Sequence, residues 1–454
     1  MSEDLNPQSD LQSDILKMPI QRAIFHLAWP TIFSGILENL TTTVDMIMVG
    51  KLGAPAIAAV GFCGMINWTL SSLMMGLSIA ITAMVARSYG GGQKKDAEFA
   101  VAQAMILALI LAAGIALIIF FGAPWILRFL GVQNDVYELA VPYLKIISFS
   151  GLFFAVLITL GGALRGAGDT RTPLYIGFIS NICNVALNYV LIFGKMGFPA
   201  LGVTGAAIGS MISLLVATLL LVILCHTGWL KLQLSFMHFR WDSGRMRALI
   251  RMAIPASIEQ FVVQLGLLVY ARFIVGFGTA ALSGYQVGSQ VLSLSFIPNG
   301  AFSIAASTLV GQNLGAGRKS EAKRAAWICL GLGTLSMSTV AAITLFNAEF
   351  LASVFVKEPD VIHLGANFIA IVAFSQPAMA VYFILAGALR GAGDTRSPLY
   401  VTLICMYGIR IPGAFLVSLF MDMGIELTFG LLILDYIARA LGIMYFFRKG
   451  KWME

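Results

Sequence analysis

Charge is scarce in this sequence of 454 residues: Asp, Glu, Lys and Arg together make up 11% of it. A soluble domain of this size would carry about 25% charged residues. Hydrophobic residues make up 59% of the chain, in recurring runs of about 20 residues or more, long enough to cross about 30 Å of hydrocarbon. The alternating segments of about ten residues that a spanning β-barrel needs are absent. We therefore expect an all-α integral membrane protein.

Catalytic and metal-binding side chains are also few. The chain has four histidines and five cysteines, and no two cysteines show the spacing of a metal or redox motif. No Ser-His-Asp or Cys-His arrangement, HExxH pattern or Walker phosphate loop occurs. The sequence thus predicts neither an enzyme nor an ATP-driven pump, and no bound cofactor. We expect an ion gradient, of H⁺ or Na⁺, to supply the energy.

What the sequence does contain is an internal repeat. The segment GALRGAGDTRTPLY from Gly162 returns as GALRGAGDTRSPLY from Gly387, 225 positions later. At the same offset, VARSYGGGQKKDA from Val85 corresponds to VGQNLGAGRKSEA from Val310. A constant offset over so much of the chain indicates a tandem duplication.

Twelve apolar segments are predicted to span the membrane, six in each repeat. Six crossings return the chain to its starting side, so we expect two six-helix lobes related by a pseudo-two-fold axis along the membrane normal. The predicted spans are 24–49, 57–85, 98–121, 138–163, 173–194, 202–226, 249–274, 282–310, 323–347, 361–388, 398–419 and 424–447. The predicted divisions are a tail at 1–23, an N-lobe at 24–226, a linker at 227–248, a C-lobe at 249–447 and a tail at 448–454.

Lysine and arginine predict the orientation. They concentrate in one set of connections, which the positive-inside rule places in the cytoplasm together with both termini. The N-terminal segment lacks the basic region and short apolar core of a cleaved signal. The net charge of +7 then reflects membrane topology rather than a nucleic-acid partner. The basic, aromatic linker fits an amphipathic segment at the inner headgroup surface of the cell inner membrane.

The repeated GALRGAGDTR motif is interpreted as a cytoplasmic turn rather than a substrate site. Gly166 and Gly168 permit tight turning of the backbone. Thr172 can cap the following helix, with Pro173 as its first residue. Prolines are also predicted inside helices, where each permits bending: Pro30, Pro255, Pro298 and Pro377.

A few ionisable residues lie inside the predicted spans, and each is a hypothesis of function because a charge in a membrane helix is costly. Asp435 and Arg439 are spaced i, i+4 and are most simply a local ion pair. Arg272 and Arg410 are expected near helix ends or paired with an acid. The candidates are Glu38, Asp45, Glu259, Arg272, Arg410, Asp435 and Arg439.

The main candidate site surrounds Asp45 in helix 1, with Glu38 seven residues earlier on nearly the same face. Asn184 and Asn188 share one face of helix 5, and Ser210 lies in helix 6. If these helices meet, a carboxylate is ringed by amides and hydroxyls. Such a site can hold a proton on the carboxylate or a small hard cation such as Na⁺ through the oxygens of Asp45, Asn184 and Asn188. The alternative is a polar network that fixes helix packing.

A second candidate is Glu259, which follows Pro255 in helix 7. Its counterpart in the first repeat is Ser34, so the duplication does not explain it. A buried membrane glutamate suggests function. The structural alternative is pairing with a polar neighbour such as Gln260 or Gln264.

From about Leu27 to Trp452 the chain resembles prokaryotic members of the multidrug and toxic compound extrusion (MATE) family. The resemblance rests on five motifs in the expected order: VDMIMVG at Val44, LRGAGDTRTPL at Leu164, GVTGAAIGS at Gly202, GYQVGSQVLSL at Gly284 and VGQNLGAG at Val310. It implies two lobes around a central cleft and ion-coupled export of amphipathic organic cations by a rocker-switch motion. We expect a monomer that contacts membrane lipids and small-molecule substrates.

The resemblance also implies roles for individual residues. Asp45 aligns with the helix 1 aspartate of ion coupling, and Asn184 and Asn188 match the helix 5 pair of that site. Glu259 matches the helix 7 glutamate of one bacterial branch, which also uses a helix 10 aspartate that FSQPAMAVY lacks here. The alternative function is a flippase for lipid-linked oligosaccharides or other lipids in the same wider superfamily. Such proteins need a large cationic cleft and often extra helices.

Overall fold

The computed structural model describes residues 14–230, 232, 241–419 and 424–453 of the chain. The first 13 residues of the predicted N-terminal tail lie outside these ranges. Part of the predicted linker, residues 231 and 233–240, does so too. Nearly all of the described residues are helical, and none of them belongs to a β-strand.

Long helices follow one another along the chain. The first nine are α1 (Ile20–Gly50), α2 (Ala54–Gly90), α3 (Lys94–Phe129), α4 (Asn134–Gly166), α5 (Arg171–Phe193), α6 (Gly202–His226), α7 (Ser243–Val275), α8 (Thr279–Gly315) and α9 (Lys319–Phe346). After the short α10 (Ala348–Ser353) come α11 (Pro359–Ala373), α12 (Gln376–Gly391), α13 (Arg396–Cys405), a π-helical turn (Met406–Arg410), α14 (Ile411–Leu419) and α15 (Ile425–Lys449). Within the described ranges, eleven spans are long and apolar enough to cross a membrane, or twelve if the bent pair α11–α12 is one span. The predicted all-α membrane fold is confirmed.

The tenth span departs from its prediction as one helix over 361–388. It is broken between Ala373 and Gln376, and its two halves are bent by 53°. Pro377 accounts for the break, because its ring clashes with the carbonyl four residues earlier, at Ala373, and it lacks an N–H to donate. Pro30, Pro255 and Pro298 lie inside continuous helices, as predicted.

The described chain separates into two compact units. The C-terminal unit contains the described residues of 258–454, 1–32 and 86–92, and the N-terminal unit contains those of 33–85 and 93–257. Helices α1, α2 and α7 are therefore each divided between the units. The lobe boundaries at 24–226 and 249–447 stay a prediction.

Each unit has its own core, and small side chains contribute much of it. In the N-terminal unit, Ala59, Cys63 and Ala207 are fully buried, beside Leu144. In the C-terminal unit the core includes a long series of alanines from α8, α9 and α12. Small residues let membrane helices approach closely, so that van der Waals contact holds the helices together.

Gly90 and Gly315, which correspond to each other in the duplication, lie where α2 and α8 meet inside the C-terminal unit. A Cβ atom on Gly90 would overlap the backbone of Gln312, and one on Gly315 would overlap the backbone of Arg87. Gly315 is the counterpart of Gly90 in the duplication, and Gln312 is the counterpart of Arg87. The ends of α2 and α8 therefore cross in a reciprocal contact that only glycine permits.

The helix that follows each GALRGAGDTR motif is capped by the aspartate of the motif. Asp169 Oδ1 accepts the N–H groups of Arg171 at 3.1 Å and Thr172 at 2.9 Å, and Thr172 Oγ1 donates to Asp169 Oδ2 at 2.5 Å. Asp394 makes the same three bonds in the second copy. The prediction that Thr172 caps α5 and that Pro173 begins it is therefore wrong. A carboxylate accepts several N–H bonds at once and is stabilised at a helix N-terminus.

Candidate functional site

The polar cluster predicted around Asp45 forms within the N-terminal unit. Asp45 on α1 is half-buried, and Asn188 Nδ2 on α5 donates to its Oδ1 at 2.8 Å. Asn184, one turn earlier on α5, accepts from Asn188 Nδ2 at 3.2 Å. Its amide also lies 3.1 Å from the hydroxyl of Ser210 on α6. Four of the predicted site residues are thus in mutual contact.

Beside an ionised Asp45, the Asn184 amide is satisfied only when its nitrogen faces the carboxylate. With its nitrogen towards Asp45, it donates to both carboxylate oxygens at 3.0 Å and accepts from Ser210 Oγ at 3.1 Å. With its oxygen towards Asp45, its nitrogen donates to Ser210 Oγ at 3.1 Å. The first arrangement suits an ionised carboxylate, which only accepts hydrogen bonds, and the second suits a protonated one, which can donate. Since a serine hydroxyl both donates and accepts, Ser210 is compatible with both.

Two residues that the sequence analysis did not identify shape this cluster. Ser213 Oγ lies 3.5 Å from Asn184 Nδ2 and donates to the carbonyl of Ser210 at 2.9 Å. Gly209 faces Asn188, and a Cβ atom there would overlap the Asn188 amide oxygen and lie 3.2 Å from its backbone nitrogen. The small residues of GVTGAAIGS were the available signal for such a close approach.

Glu38 lies apart from the cluster. Its side chain is exposed, and within the described ranges it forms no hydrogen bond with Asp45 or the two asparagines. Instead it interacts electrostatically with Arg165 on α4, whose Nη2 donates to Ser78 Oγ at 3.2 Å.

Glu259 on α7 is buried in the C-terminal unit, where it forms an ion pair. Arg390 Nη2 on α12 donates to Glu259 Oε1 at 2.6 Å. The same oxygen accepts from the Tyr382 hydroxyl at 2.8 Å and from Thr402 Oγ1 at 3.3 Å. These partners differ from the neighbouring glutamines that the sequence suggested. Arg390 belongs to the second GALRGAGDTR copy, so the motif supplies a buried cation as well as a turn.

Asp435 on α15 has two arginine partners. It pairs with Arg439 at 3.0 Å, as predicted, and also with Arg410 at the end of the π-helical turn. The Arg439 guanidinium lies 5.5 Å from the centre of the Tyr382 ring, whose hydroxyl contacts Glu259. The two ion-pair groups are therefore adjacent, and their two acids face three arginines. This network carries one positive charge in excess.

Asp45 thus differs from the other three candidate acids. Glu259 and Asp435 are paired with arginines, and Glu38 has Arg165 within electrostatic reach. In the described part of the chain Asp45 makes no ion pair. Nor do the described residues contain a group of three His, Cys, Asp or Glu side chains that could hold a metal ion.

Spanning helices in two repeated sets, with a polar cluster around an unpaired intramembrane acid, are features of a secondary membrane transporter. The model of the MatE family matches residues 30–190 and 255–416, in both copies of the duplication. The chain belongs to this family, that of the multidrug and toxic compound extrusion transporters.

Individual relatives agree with this assignment. The probable multidrug resistance protein NorM of Thermotoga maritima is 30% identical over 437 residues, which cover 95% of this chain and 93% of that protein. The multidrug resistance protein MdtK of Yersinia pestis is 27% identical over 409 residues, covering 88% of each chain. Both proteins are named as multidrug resistance proteins.

Solved structures show the same fold. An outward-facing multidrug resistance MATE transporter of the MOP superfamily aligns with a TM-score of 0.90 at 18% identity, over 96% of this chain and 97% of its own. A MOP superfamily transporter from Pyrococcus furiosus, described as having a binding pocket of reverse polarity, gives the same values. The protein is thus a multi-pass membrane protein with the MATE fold.

Proposed function

We propose that this protein exports amphipathic organic cations in exchange for protons by alternating access, with Asp45 as the coupling acid. The observation that carries the proposal is the surroundings of Asp45. Its carboxylate contacts amide donors and has no cationic partner among the described residues. Such a group can gain and lose a proton without breaking an ion pair.

The hydrogen bonds of the cluster suggest how proton binding is transmitted. When Asp45 is ionised, the amides of Asn184 and Asn188 donate to it. When Asp45 is protonated, its hydroxyl donates to Asn184 Oδ1 and the Asn184 amide reverses. Ser210 then changes from donor to acceptor. Each proton exchange therefore rearranges contacts that join α1, α5 and α6.

The same exchange changes the attraction for a cationic substrate. A proton on Asp45 removes a negative charge, so a cation is held less strongly and can leave. Because two coupled sites affect each other equally, substrate binding lowers the affinity for the proton by the same factor. This reciprocity makes the protein an exchanger.

The orientation of Asn188 favours H⁺ over Na⁺. A sodium ion held by Asp45, Asn184 and Asn188 would need oxygen ligands from both amides. Asn188 presents its nitrogen to Asp45, and its oxygen is buried against Gly209 without a hydrogen-bond partner. Na⁺ binding would therefore require Asn188 to reverse in a tightly packed position. A proton requires no such change.

We place the protein in the cell inner membrane as a monomer, with both termini in the cytoplasm and lipid as its other partner. The distribution of Lys and Arg among the connections supports this orientation. Large exposed apolar side chains such as Phe121, Trp125 and Leu441 support contact with lipid.

The test is export of a fluorescent organic cation from proteoliposomes under a pH gradient or a Na⁺ gradient, imposed separately. We expect the pH gradient alone to drive export, and a neutral analogue of the dye to be left behind. Accelerated exchange in a counterflow assay will distinguish a transporter from a channel. Export driven by the Na⁺ gradient alone would show that the coupling ion is Na⁺ rather than H⁺. Folded protein that responds to neither gradient would refute the exchanger and favour the lipid flippase.

Substitution of Gly209 should weaken coupling without changing any polar group. We expect Gly209→Ala to reduce proton-driven export several-fold, because the added methyl group displaces Asn188 from Asp45. Gly151→Ala is the matched control, since a Cβ atom there meets nothing within 4 Å. Equal export rates for the two variants in the proteoliposome assay would show that the Asn188 contact is unimportant.

A further inference from the structure

We infer that Arg390 is a positioning residue that keeps Glu259 ionised in a fixed ion pair, so that Glu259 does not exchange an ion during transport. The inference rests on the proposed function, in which Asp45 performs the exchange. It assigns different roles to the two intramembrane acids that the sequence identifies as the main and the second candidate.

One oxygen of Glu259 accepts three hydrogen bonds, one of them from a guanidinium. Its Oε1 accepts from Arg390 at 2.6 Å, from Tyr382 at 2.8 Å and from Thr402 at 3.3 Å. All four side chains are buried, with Glu259 only 2% exposed. Charge-assisted bonds to a guanidinium are stronger than neutral ones. Protonation of Glu259 would leave the arginine as an unpaired buried cation, which is strongly unfavourable.

The electrostatics around Glu259 oppose the entry of a second cation. The groups facing it are Arg390 and Tyr382 from α12 and Thr402 from α13, with Arg439 from α15 beyond the Tyr382 ring. Every charged member of this set is positive. A cation bound at Glu259 would have to displace a guanidinium in a network that already has one positive charge in excess.

The ion pair also has an unused donor and an unused acceptor. Glu259 Oε2 and Arg390 Nε are both buried without a hydrogen-bond partner. Arginine and carboxylate groups often join through two parallel bonds. A small movement of α7 or α12 could therefore change this pair from one bond to two without breaking it. Such a pair can persist while the helices move.

The duplication places different residues at the two positions of this pair. Arg165 is the counterpart of Arg390, but the counterpart of Glu259 is Ser34. In the N-terminal unit the nearest comparable acid, Glu38, lies one turn further along α1 and contributes an electrostatic interaction with Arg165. In the C-terminal unit the duplicated arginine forms an ion pair with Glu259, whereas Asp45 lies in the N-terminal unit.

The experiment compares the pH dependence of proton-driven export in proteoliposomes for wild type and four variants. For Glu259→Gln/Arg390→Gln, which removes both charges together, we expect one pH-dependent step and a rate within about threefold of wild type, because both partners are neutral. Arg390→Gln should add a second pH-dependent step, since an unpaired buried carboxylate takes up a proton. Arg390→Lys should not add it, because the cation is retained. A purely structural role of Arg390 would change yield or rate without adding a step.

Loss of driven export in a folded double variant would overturn the inference, since Glu259 would then be needed for coupling. If the Arg390→Gln variant does not reach the membrane, the double variant alone tests the inference. Asp45→Asn is included as the fourth variant, so that failure of the two proposals can be distinguished. Driven export that survives Asp45→Asn contradicts the proposed function, whereas the double variant tests only the ion pair.

Discussion

An Asp45→Asn variant is expected to lose gradient-driven export completely, down to the rate of protein-free vesicles, and to remain folded. The amide has nearly the same shape as the carboxyl group but cannot gain or lose a proton in the accessible pH range. Since Asp45 forms no ion pair within the described ranges, its neutralisation leaves no buried cation unpaired. We therefore expect a functional defect with little change in stability.

The measurement is export of a fluorescent cation from proteoliposomes under an imposed pH gradient, with thermal unfolding in detergent measured in parallel. Asp135→Asn is the matched control. It makes the same chemical change at an exposed residue in the first turn of α4, in the same unit. Normal driven export by a well-folded Asp45→Asn variant would remove Asp45 from the mechanism.

Replacement of Asp435 by Asn should have the opposite result, a large loss of stability. Asp435 is fully buried and is the acid partner of both Arg410 and Arg439. Its neutralisation leaves two buried guanidinium groups without a carboxylate. Removing one partner of a buried ion pair costs about 3–5 kcal/mol, and the free energy of unfolding of a typical protein is only about 5–15 kcal/mol. We expect little folded protein to accumulate.

Glu426→Gln is the control for this second prediction, because Glu426 lies exposed in the first turn of the same helix. Surface changes of this kind usually alter stability by less than about 0.5 kcal/mol. The readouts are the yield of monodisperse protein and the midpoint of thermal unfolding in detergent. An Asp435→Asn variant with the yield and midpoint of Glu426→Gln would show that the arginines are compensated elsewhere.

The spans and the Asp45 cluster were predictable from local sequence features. Long apolar runs mark spanning helices, and a lone acid within such a run is conspicuous because it is costly there. The i, i+4 spacing of Asn184 and Asn188 places both amides on one face of α5. The sequence could not show whether α1, α5 and α6 meet. In the structure these three helices contact one another through Asp45, Asn188, Asn184 and Ser210.

Other features depend on contacts between distant parts of the chain. Glu259 and Arg390 are 131 positions apart, and the arginine lies in a motif whose glycines and aspartate indicate a turn. Arg410 reaches Asp435 from a π-helical turn, which has no signal in hydrophobic periodicity. Local patterns identify a buried charge, but they do not identify its partner.

The pairing of the other intramembrane acids with arginines has a consequence for membrane voltage. If Asp45 alone changes its protonation, one proton enters for each substrate that leaves. Exchange of a monovalent cation then moves no net charge, so the transmembrane potential neither drives nor opposes it. A divalent cation would carry one net charge outward against an inside-negative potential, at about 2.3 kcal/mol per 100 mV. The exchanger would therefore favour singly charged substrates in a strongly energised membrane.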